Sequence, residues 1–130
     1  MAKMIHSMIR VADEARSVGF YQGAFGLSVA EKITFDSFSL VYLSNAEQEF
    51  ELELTVNHNH PPYELGNGYG HLAVSVEDVA AAHQRISALG AICTPVRELS
   101  CGNKLIGTFF FVTDPDGYKI EVLQRAGRFK

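Results

Sequence analysis

Residues 51–71 read ELELTVNHNHPPYELGNGYGH. Polar and apolar residues alternate from Glu51 to Val56, the period of a strand with one buried face. Pro61 and Pro62 stop that strand, because proline fixes φ and has no N–H to donate. Glycines at 66, 68 and 70 follow, and His71 then opens a second strand-like run, LAVSV. The stretch therefore reads as a hinge over 58–69. It has an acid, Glu53, on one side and an imidazole, His71, on the other.

Reading outward, each side of the hinge repeats one plan. Before it, His6–Val11 reads as a strand, Asp13 as an N-cap, and EARSVGFYQGAF as a helix closed by Gly26. Val18, Tyr21 and Phe25 are its expected buried face. Strands are expected at 27–34, 37–43 and 50–56. After the hinge, His71–Val76 is a strand, Asp78 an N-cap, and VAAAHQRISAL a helix stopped by Gly90, with Val79, Ala82, Ile86 and Leu89 as its apolar stripe. Strands follow at 91–96, 105–112 and 118–124, with the turn DPDG before the last. Cys101, beside Gly102, is expected on a loop. Val11 and Asp13 follow His6 at the same distances at which Val76 and Asp78 follow His71. Glu53 and Glu121 each fall in the last strand of their half. The fold class is α+β: two βαβββ modules, at about 4–57 and 70–125, in a single domain spanning 1–130.

Composition narrows the function classes. A hydrophobic fraction of 47% with 20% charged residues is that of a globular chain. A net charge of -4 gives no electrostatic basis for binding nucleic acid or an anionic membrane. No apolar run approaches the roughly 20 residues that span a bilayer. MAKMIHSMIR lacks a long apolar region and a cleavage-like site, so no signal peptide is expected. Cys93 and Cys101 form no CxxC and read as reduced thiols, Cys93 being packed. A cytoplasmic location is the expectation.

Alternation places the polar residues together. His6, Met8 and Arg10 share one face of the first strand, and Glu51, Glu53, Thr55 and Asn57 one face of the fourth. His71, Ala73 and Ser75 share a face of the fifth, and Lys119, Glu121 and Leu123 one of the last. A lone histidine or glutamate in such a place is ordinarily solvated. Two symmetric His–Glu pairs, His6 with Glu53 and His71 with Glu121, instead form a donor set for a divalent metal: Ni, Co, Mn, Fe or Zn. His58 and His60 form a rival His-x-His, but in the proline loop they read as surface residues. His83 has no assigned role.

HSMIRVAD, GFYQGAFGL, ELELTVNHN, YELGNGYGHLAVSVED and DPDGYKIEVL, in this order, resemble glyoxalase I (lactoylglutathione lyase) of the vicinal-oxygen-chelate superfamily. The resemblance implies the glyoxalase/bleomycin-resistance/dioxygenase fold, with curved mixed sheets and a domain-swapped homodimer. It implies metal ligands at His6, Glu53, His71 and Glu121, and glutathione contacts at Arg10 and Asn57. Lys104, in the equivalent of the family's basic glycine-rich loop, would meet a glutathione carboxylate. The two-His, two-Glu set is similar to the bacterial Ni/Co-activated type; the Zn type has Gln at the first position and a longer N-terminus. The implied reaction is isomerisation of the methylglyoxal–glutathione hemithioacetal to S-lactoylglutathione through an enediolate. Glu121 is its base and Glu53 the symmetric counterpart. Two rivals share the fold. An extradiol-type dioxygenase uses two His and one carboxylate on Fe(II), which leaves Glu53 in excess. A metal-free drug-sequestering module has no need of four ligand-type residues.

Overall fold

The computed structural model describes residues 1–130 and divides into two compact units, Met1–Glu64 and Leu65–Lys130. In the first unit, β1 (His6–Arg10) leads to α1 (Glu14–Phe25), which is followed by β2 (Ser28–Thr34), β3 (Phe38–Ser44) and β4 (Glu51–Asn57). Asp13 starts the helix: its carboxylate accepts the Arg16 N–H at 2.8 Å, satisfying a first-turn donor that has no partner inside the helix. Gly26 ends it in the left-handed region at φ 66°, where a side chain would be strained. Asp13→Ala is expected to cost about 1 kcal/mol, read as a lower urea midpoint with an unchanged slope.

The sheet order is β1-β4-β3-β2. β1 pairs parallel with β4, and β3 pairs antiparallel with both β2 and β4. Alternation then sorts the side chains. Ile9, Val41, Leu43, Leu52, Leu54 and Val56 are buried, while His6, Met8 and Arg10 are exposed. The buried face of α1 is Ser17, Tyr21 and Ala24, not Val18, Tyr21 and Phe25. The helix presents a small-residue edge on either side of Tyr21, and Val18 and Phe25 stay half-buried on its flanks.

The second unit repeats this order with β5 (Leu72–Val76), α2 (Val79–Ala88), β6 (Ile92–Cys93), β7 (Arg97–Cys101), β8 (Lys104–Thr113) and β9 (Lys119–Gln124). β5 pairs parallel with β9, and β8 runs antiparallel to β9, β6 and β7. Asp78 caps α2 by accepting the Ala81 N–H at 2.9 Å. Val79, Ala82 and Ile86 are buried as expected, whereas Leu89 is exposed. The helix closes at Ala88, and Leu89 turns away with its N–H on the Ile86 carbonyl.

The expected strand at 91–96 is also different. Ile92–Cys93 pairs with β8, the ladder lapses at Thr94–Val96 around Pro95, and pairing with the same strand resumes at Arg97. The lapse follows from proline's missing N–H. Thr94 bridges it, its N–H donating to the Phe111 carbonyl at 2.8 Å and its hydroxyl accepting the Phe111 N–H at 2.8 Å. Cys101 is therefore not on a loop. Cys101 closes β7, Gly102 (φ 58°) and Asn103 make a two-residue turn, and Lys104 opens β8. Cys93 is half-buried and Cys101 exposed; both are free thiols. No helix is long and apolar enough to cross a membrane.

Candidate metal centre

Each unit builds its own His–Glu pair, and the two are constructed alike. In the first, Met8 lies opposite Glu53 across the parallel ladder, so His6 sits two residues back on the same face. The His6 Nε2 is 3.2 Å from the Glu53 carboxylate. In the second, Ala73 lies opposite Glu121, and His71 again sits two residues back. Its Nε2 is 3.7 Å from the Glu121 carboxylate. A metal bound by nitrogen and oxygen at about 2.1 Å places neighbouring ligand atoms about 3 Å apart in an octahedron. The first pair presents its donors at about that spacing, and the second is wider at 3.7 Å. The carboxylates are the more enclosed partners: their side chains are 11% and 19% exposed, against 36% and 41% for the imidazoles. An unpaired buried carboxylate is costly, so a cation is the natural companion of each.

The antiparallel neighbours complete the parallel. Tyr42 of β3 lies opposite Glu53, and Phe111 of β8 lies opposite Glu121. Each ring meets its histidine edge-on, Tyr42 at 6.1 Å from His6 and Phe111 at 5.2 Å from His71. Only Tyr42 carries a hydroxyl. Desolvation holds its phenol above the usual value, and its hydrogen bond to the Glu53 carboxylate acts in the same direction, as do the nearby Glu53, Glu31 and Glu51 charges. No sequence signal singled out Tyr42, because its partner depends on the β3–β4 register.

The remaining anticipated residues are placed as follows. Arg10 is exposed on the His6 face of β1. Asn57 ends β4 on the Glu53 face, and its amide donates to the Tyr63 hydroxyl at 2.8 Å. Lys104 is exposed at the hairpin tip, seven residues along β8 from Phe111 and so roughly 20 Å away along the strand. Tyr69 fixes the approach to His71. Its hydroxyl accepts the Leu72 N–H at 3.2 Å and donates to the Lys119 carbonyl at 3.1 Å, tying the start of β5 to the start of β9.

The other histidines are structural. His58 was expected to be a solvated surface residue, yet both ring nitrogens have partners. Nδ1–H donates to the Asp36 carbonyl at 3.1 Å, since a carbonyl can only accept, and Nε2 therefore accepts from the Ser39 hydroxyl at 3.0 Å. His60 stacks on Tyr63 at 4.3 Å. His83 donates through Nε2 to the Thr94 carbonyl at 2.9 Å and meets Phe110 edge-on, so it braces the lapse between β6 and β7.

Taken together, a duplicated module with one His–Glu pair per copy defines an α+β protein with two like-built donor pairs. Residues 3–122 match the model of the Glyoxalase/Bleomycin resistance protein/Dioxygenase superfamily. The chain belongs to that superfamily. The lactoylglutathione lyase of Salmonella typhimurium is 37% identical to it over 136 aligned residues, covering 97% of this chain and 96% of the relative. That of Neisseria meningitidis serogroup A is 35% identical, covering 95% and 91%. Among solved structures, the trypanothione-dependent glyoxalase I of Leishmania major superposes with a TM-score of 0.77 at 34% identity, covering 95% of this chain and 87% of that one. Glyoxalase I of Zea mays gives 0.86 at 30% identity; this chain is matched over 96% of its length and covers 45% of the maize protein.

Proposed function

We propose that this chain is a glyoxalase I, isomerising the hemithioacetal of methylglyoxal and glutathione to S-lactoylglutathione. The observation that carries the reading is the pair of His–Glu couples at the same register in both units, in a chain whose relatives are lactoylglutathione lyases. One divalent ion is held by His6, Glu53, His71 and Glu121, with Ni or Co favoured by the two-His, two-Glu set. When bound, it supplies Lewis-acid stabilisation for negative charge developing on the substrate's oxygens.

The chain's own groups do the rest. Glu121 takes the proton from the carbon bearing sulfur and returns it to the adjacent carbon, while the hydroxyl proton of the first carbon passes to the oxygen of the second, so the isomerisation is balanced without an oxidant or added acid. Glu53 is its counterpart across the site. Arg10 holds a glutathione carboxylate by charge-assisted hydrogen bonds, and Asn57 orients the peptide backbone of the thiol. Lys104, exposed at the hairpin tip, meets the second carboxylate. The assembly is a swapped homodimer in the cytoplasm, each ion taking one pair from each protomer.

The test is a thioester-forming assay with methylglyoxal and glutathione on chelator-stripped protein. Activity is expected to be negligible without metal and to return on adding nickel or cobalt more than on adding zinc. Trypanothione in place of glutathione distinguishes the thiol. Turnover that ignores both chelation and metal addition would remove the reading.

A further inference from the structure

The two His–Glu pairs are built at the same register, but their cross-strand neighbours differ. Glu53 faces a tyrosine and Glu121 faces a phenylalanine at the same cross-strand position. The rings lie in the same relation to the two histidines, edge-on in each case. Of these neighbours the aromatic pair differs by a hydroxyl, and it falls on the carboxylate that is also the more enclosed.

We infer that Tyr42 is a positioning residue that pins Glu53 as a fixed ligand, so that Glu121, facing Phe111, is the carboxylate left able to loosen and carry the proton. This rests on the reading of the site as a glyoxalase I centre, and it adds the reason why one of two like carboxylates becomes the base. A carboxylate that accepts a phenolic hydrogen bond has one oxygen committed and one orientation preferred. A carboxylate beside a phenyl ring receives no such bond from it and moves at smaller cost. This hydroxyl difference lies in β3 and β8, not among the ligands, which is why the ligand pattern alone shows two equivalent acids.

The test uses the full-length protein as wild type, Tyr42→Phe, Glu121→Gln and the double variant. Cobalt affinity is measured by competition with a chelator, and kcat and KM with the methylglyoxal–glutathione adduct. Loss of the hydroxyl is expected to weaken cobalt binding about tenfold, the lower end of what removing a partner of a metal ligand costs. In the Glu121→Gln background the same change is expected to raise the residual kcat severalfold, because Glu53 is released to act, with KM nearly unchanged. A purely structural role for Tyr42 would lower both proteins' activity together and leave no gain in the double variant. Unchanged cobalt affinity, or no gain in the double variant, overturns the assignment. Wild-type protein that neither binds cobalt nor isomerises the adduct overturns the glyoxalase reading itself, a separate result.

Discussion

Glu121→Gln with nickel bound is expected to lose about 10²- to 10⁴-fold in kcat, the usual contribution of a positioned general base. Glutamine keeps the size and one carbonyl oxygen for the ion but cannot accept a proton. Glu121 sits mid-strand on β9, opposite Phe111 on one side and Ala73 on the other, so the amide fits the same space. KM should change little, since the residue is not among those proposed to hold the thiol. Metal content, measured on the purified variant, should stay close to one equivalent per site. Wild-type turnover in that variant would transfer the proton to another group, with Glu53 the first candidate.

Phe110→Ala is expected to cost about 3–5 kcal/mol, the range for removing a buried aromatic side chain, and to lower the melting temperature by roughly 10–20 °C. Phe110 is 0% exposed and meets His83 edge-on at 4.9 Å, on the face of β8 that turns inward with Val112. Its neighbours behave differently. Phe109 and Phe111 point to the opposite face, are half-buried, and contact each other at 5.7 Å. Calorimetry on Phe110→Ala beside Phe109→Ala should show a clearly larger loss for the first. Equal losses would contradict the alternation that assigns the three rings to two faces.

The features legible in the sequence were those with a local cause. Asp13 and Asp78 announced their helices because a capping carboxylate acts within three residues. The faces of β1, β4, β5 and β9 followed from alternation, and the matching of the two halves came from comparing spacings. What escaped depended on contacts distant in the chain. Arg97–Cys101 is exposed throughout and carries no hydrophobic signal, so its pairing with β8 left no trace. Ser17 and Ala24 face inward because small side chains let a helix approach its sheet, while a reading by hydrophobicity picks the larger Val18 and Phe25. His58 looked like surface because the groups that receive it, Ser39 and the Asp36 carbonyl, belong to β3 and the turn before it. Tyr42 could be placed on a face but not opposite a particular acid, since the irregular SNAEQE connection gives no tight turn to set the register.

The parallel seams β1–β4 and β5–β9 have a bearing on how the protein is made. In each half the opening strand finds its mate only when the closing strand has left the ribosome. Such distant pairings close late. The two donors of a pair therefore come together at the end of their module's folding, and under the proposed function, in which one ion takes both pairs, binding would wait for both modules to close. Under that reading occupancy would favour complete modules over truncated or frayed ones by mass action.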